Sequence, residues 1–63
     1  MTQPMTGMDL RVERVRRDLT LTQVARYLGL SRVTVLKYER QESPRPEVVA
    51  RYREALLALR RAP

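Results

Sequence analysis

The chain has 63 residues, no cysteine, no histidine and a formal net charge of +6, which allows one small-cored domain and excludes disulfide staples and thiolate or imidazole metal sites. The cations are almost all arginine, Lys37 being the one lysine, and such an excess marks either a surface for polyanions or a solvated basic face. No apolar run approaches the roughly 20 residues of a membrane span, and no basic stretch followed by an apolar one opens the chain, so a cytoplasmic protein without membrane contact is expected.

Residues 1–5, MTQPM, lack periodicity and read as a disordered tail before a single domain over residues 6–63. Thr6 followed three residues later by Asp9 fits a capping box, and the first helix is predicted from Gly7 or Met8 to Arg17. Met8, Val12, Val15 and Leu19 form its expected core stripe, with Leu10 on the other side. Thr20 and Gln23 make a second box opening a helix that buries Val24, Ala25 and Leu28. Gly29 ends it, since glycine enters the left-handed region without a Cβ clash, and Leu30 can return an apolar contact. Ser31 then caps a third helix, Arg32 to Arg40. So short a joint forces the sharp crossing of a helix-turn-helix.

Ser43 and Arg45 each precede a proline, so "QESPRP" reads as a loop, and Pro46 suits the first position of a last helix. Glu47 in its first turn, and Arg60 and Arg61 near its end, complement the helix dipole. Its stripe is Val48, Tyr52, Ala55, Leu56 and Leu59. Arg51, Arg53, Arg60 and Arg61 read as a solvated face, and Asp9, Glu13 and Asp18 as charge balance on helix surfaces. Nothing pairs a nucleophile with a base, cradles a phosphate in glycines or gathers metal ligands, so neither an enzyme, a cofactor nor a small-molecule ligand is expected.

With Val35 taken as the inward reference of the third helix and about 100° per residue, Tyr38 falls near the core, while Val33, Leu36, Lys37 and Arg40 fall on the opposite half. Branched apolar residues beside Lys and Arg suit neither a solvated face nor a buried one. Apolar groups contact thymine methyls, Arg and Lys donate to guanine O6 and N7, and further cations pair with phosphates. The mixture suits the major groove of double-stranded DNA.

Residues 19–46 resemble the lambda-repressor-like helix-turn-helix of phage repressors and Cro proteins, the XRE family. The likeness is carried by Leu19 and Thr20, "VA" at Val24 and Ala25, "LG" at Leu28 and Gly29, Ser31, Val35, "YER" from Tyr38 to Arg40, and "RP" at Arg45 and Pro46. It implies an all-α domain of four helices, with a five-helix form as the alternative although little chain remains for a fifth. It further implies that Thr20 opens the scaffold helix at the DNA backbone, that Arg32, Val33, Leu36 and Lys37 face base edges, and that Ser31, Thr34, Arg40 and Arg45 lie near phosphates. Family members also pair an arginine of the first helix with the glutamate ending the recognition helix, here Arg14 and Glu39, although periodicity places Arg14 on the flank of the first helix's stripe.

Two departures stand out. Leu21 occupies a position where the family often has a phosphate-reaching glutamine, a task left to Thr22 or Gln23, and Gln41 stands where glycine commonly follows the recognition helix. The expected protein is a nucleoid-associated repressor that acts by occupancy, as a homodimer on a two-fold site. Two other functions share the scaffold: an antitoxin or adaptor module contacting protein through Leu36 and Leu57, and an excisionase-like factor that bends DNA.

Overall fold

The computed structural model describes residues 5–59, which fold as α1 (Gly7–Arg16), α2 (Leu21–Leu28), α3 (Arg32–Arg40) and α4 (Pro46–Leu59). The described residues contain no strand and no fifth helix, so the five-helix alternative finds no support. Arg60, Arg61 and residues 1–4 lie outside the described residues. Met5, the last residue of the predicted tail, is half-buried against the core.

Each of the first three helices starts on the predicted cap. The Thr6 hydroxyl accepts the Asp9 N–H at 3.1 Å while the Asp9 carboxylate accepts the Thr6 N–H at 2.9 Å. Thr20 and Gln23 repeat the exchange at 3.1 and 2.8 Å, and the Ser31 hydroxyl accepts the Thr34 N–H at 3.1 Å. These bonds satisfy amides that a helix start leaves without partners.

Helix α1 faces the core with a side the apolar pattern did not select. Leu10 is fully buried and Gly7 is buried, whereas Met8, Val12 and Val15 are 56%, 46% and 53% exposed. Of the predicted stripe only Leu19, beyond the helix, joins the core. The physical reason lies at Gly7, whose N–H donates to the Gln41 carbonyl at 2.7 Å. A Cβ there would stand 2.5 Å from the carbonyl oxygens of both Gln41 and Tyr38, so only glycine lets α1 abut the end of α3. That contact turns Gly7, Leu10 and Arg14, spaced three and four apart, inward together.

The helix also ends one residue before the expected Arg17, which serves as its C-cap. Asp18 follows with φ of 56°, and the N–H groups of Asp18 and Leu19 donate to the carbonyls of Val15 (3.0 Å) and Arg14 (3.2 Å). Gly29, with φ of 70°, closes α2 identically: its N–H and that of Leu30 donate to Arg26 (3.3 Å) and Ala25 (2.9 Å). Aspartate enters the left-handed region more readily than most residues, so Asp18 is a turn residue as well as a surface charge.

The core sits where all four helices meet: Val24, Ala25 and Leu28 from α2, Val35 from α3, Tyr52, Ala55 and Leu56 from α4, with Leu10 and Leu19 closing it. Burial of Val35 under this layer sets which side of α3 faces outward.

Candidate nucleic-acid interface

Helix α3 shows two unlike sides. Val35 is fully buried; Arg32, Lys37 and Arg40 are exposed, Val33 is 61% exposed, and Thr34, Leu36 and Tyr38 are half-buried. Ser31 is exposed at the cap, where its Oγ lies 2.9 Å from the Thr34 Oγ1. One of these hydroxyls must donate to the other, so a single hydroxyl hydrogen of the pair stays free for an external acceptor.

Thr20, Thr22 and Gln23 are exposed at the start of α2. The Gln23 carbonyl oxygen is held by the Thr20 amide, which leaves its NH2 group and the Thr22 hydroxyl as outward donors. The amides of Leu21 and Thr22 are the two that helix geometry leaves unpaired there. The Leu21 side chain is half-buried against the core and offers no polar reach. Arg45 is exposed and its carbonyl accepts the N–H groups of Val48 (2.9 Å) and Val49 (3.0 Å), so it caps α4 while its guanidinium remains outside.

Two open grooves gather some of these residues and leave others apart. Thr20, Thr22 and Arg32 line one of about 640 Å³ with Val15 and Asp18. Leu36 and Arg40 line another of about 660 Å³ with Leu21, Met8 and Arg11, the last a cation on α1 that sequence reasoning did not single out. Val33, Lys37 and Arg45 line neither groove.

The far end of α3 is anchored in the interior. Glu39, a buried carboxylate, accepts Arg14 Nε at 2.7 Å and Nη2 at 3.2 Å, and it also accepts the hydroxyl of the fully buried Tyr52. Arg14 Nη1 reaches the Leu19 carbonyl at 2.8 Å. One side chain therefore ties α1 and the following turn to α3, while Tyr52 adds α4. The hydrogen bond to Glu39 raises the Arg14 pKa further above its usual range, and burial, followed by the bond to Glu39, pushes the Tyr52 hydroxyl well above the ordinary tyrosine value. Sequence reasoning placed Tyr52 in the apolar stripe without a partner. The signal it passed over is chemical: a tyrosine in the centre of a buried stripe needs an acceptor for its hydroxyl.

A family model described as Helix-turn-helix matches residues 10–56, which extends the likeness from the central unit to most of α1 and α4. No curated protein and no solved structure matches the chain significantly. The chain belongs to the XRE or lambda-repressor-like helix-turn-helix family, a family of DNA-binding, non-enzymatic domains. Among the described residues no helix is long and apolar enough to cross a membrane.

Proposed function

We propose that the chain is a sequence-specific transcriptional regulator of the repressor type that inserts α3 into the major groove of double-stranded DNA as a homodimer. The observation that carries this reading is the outward side of α3, where Val33, Lys37 and Arg40 are exposed opposite the buried Val35. Arg32, Val33, Leu36 and Lys37 address base edges, the branched side chains meeting thymine methyls and the cations meeting guanine. Thr20, Thr22, Gln23, Ser31, Thr34, Arg40 and Arg45 address phosphates and set the register. A helix of nine residues is about 14 Å long and covers only a few base pairs, so useful specificity calls for two copies about one helical turn apart. Leu57, 54% exposed on α4, supports that helix as the surface between the copies. Occupancy of a promoter would then block polymerase, at the nucleoid.

Selection from a random duplex pool tests the proposal directly. A two-fold sequence with half-sites one turn apart is expected, and a pool that shows no enrichment overturns the reading. With the selected duplex, Lys37→Ala should relax discrimination at one base position, whereas Arg45→Ala should weaken all sequences alike and lower the salt slope by about one.

A further inference from the structure

Helix α1 turns an apolar stripe to solvent that the core does not use; its ends, Met8 and Val15, border the two grooves described above, and its middle, Val12, borders neither. Met8, Val12 and Val15, spaced four and three apart, lie on one line of the helix and are each about half exposed. Single exposed apolar residues are ordinary, but three on one line form a continuous patch. At about 100° per residue, Arg11 falls on one margin of that line and Arg16 on the other. These five residues together line a shallow depression of about 250 Å³, enough to seat one branched side chain.

The two arginines beside the patch are unequally compensated. Among the described residues Arg11 has no ion-pair partner, and Arg16 only reaches Glu13 at 4.0 Å. Glu13 is already engaged by Arg17, whose hydrogen bond holds its carboxyl below the usual range. We infer that the outward face of α1 docks an acidic amphipathic helix of a partner protein, its apolar residues on Met8, Val12 and Val15 and its carboxylates on Arg11 and Arg16. A second copy of this chain fits the patch poorly, because a two-fold contact would bring the arginine margins of two highly basic molecules together. The inference does not rest on α3 binding DNA, although Met8 and Arg11 also border the groove lined by Leu36 and Arg40.

The test titrates methyl-labelled protein with a synthetic helix that carries one leucine stripe flanked on both sides by glutamate. Controls are a scramble of the same composition, a version with lysine for glutamate, and anionic phospholipid vesicles. The methyl signals of Met8, Val12 and Val15 should shift and saturate with the acidic helix, with the scrambled and lysine versions binding at least about tenfold more weakly. The double variant Arg11→Glu, Arg16→Glu, whose sites are exposed, should lose about tenfold in affinity for the acidic helix while keeping the spectrum of the folded protein. Shifts confined to Val33 and Leu36, equal binding of the scramble, a response to vesicles but not to the helix, or self-association that Val12→Asp abolishes would each overturn the inference.

Discussion

The two ends of α3 are held by opposite means. At its start, the Gly29 turn and the Ser31 cap are completed by residues within six positions of one another, and Arg26, Gly29, Leu30 and Ser31 among them are exposed. At its end, Glu39 meets Arg14, 25 positions away, and Tyr52, 13 positions away, with Gly7 closing over the last carbonyls. The local joint costs little to alter because solvent can replace what is lost. The distant one excludes solvent, so a missing partner leaves a charge without compensation. The outward side of α3 is thereby carried between a compliant end and a rigid one.

The largest effect expected from this contrast is Glu39→Gln, which leaves Arg14 without its carboxylate and should cost about 3 kcal/mol in urea or thermal unfolding. Glu42→Gln, at an exposed position three residues on, should stay within about 0.5 kcal/mol. Equal costs would abolish the distinction between the two ends. Next comes Tyr52→Phe, which removes a hydrogen bond to a charged group and should cost roughly 1.5–2 kcal/mol at neutral pH. This contribution has a pH signature: because the folded hydroxyl titrates above the unfolded one, it is fully present below the unfolded value of about 10 and is lost as pH rises beyond it. Wild type and Tyr52→Phe should therefore converge in stability on the alkaline side, as urea titrations at pH 8 and pH 11 can show. Of the substitutions at the two ends of α3, the smallest change is at the local joint. Gly29→Ala meets no atom within 4 Å and only forces an L-residue to φ near +70°, so a loss of about 1 kcal/mol is expected in the same assay.

Legibility in the sequence follows the same division. The caps at Thr6, Thr20 and Ser31 and the Gly29 stop could be read because each depends on partners a few residues away. Val33, Lys37 and Arg40 on the outward side of α3 were also readable once Val35 was taken as the buried reference, whereas Leu36, expected with them, and Tyr38, expected at the core, are both half-buried. Helix α1 was misread for the converse reason. Its wheel offered a longer apolar line through Met8, Val12 and Val15 than through Leu10, yet its rotation is decided by Gly7 against the end of α3 and by Arg14 against Glu39. Apolar periodicity does not count a glycine that permits close approach, nor an arginine that enters the interior with its carboxylate. Asp18 and Tyr52 escaped similarly, the first because its left-handed backbone is a property of the turn, the second because its acceptor lies on another helix.

Holding the Glu39 end in the interior more firmly than the Ser31 end makes α3 a lever with its pivot inside the protein. Arg32 stands about 10 Å up the axis from that pivot, so a tilt of roughly 5° there moves the tip by about 1 Å. Hydrogen bonds to base edges tolerate a few tenths of an ångström. If α3 reads base edges as proposed, slack at the pivot would blur which base pairs are read well before it unfolded the domain.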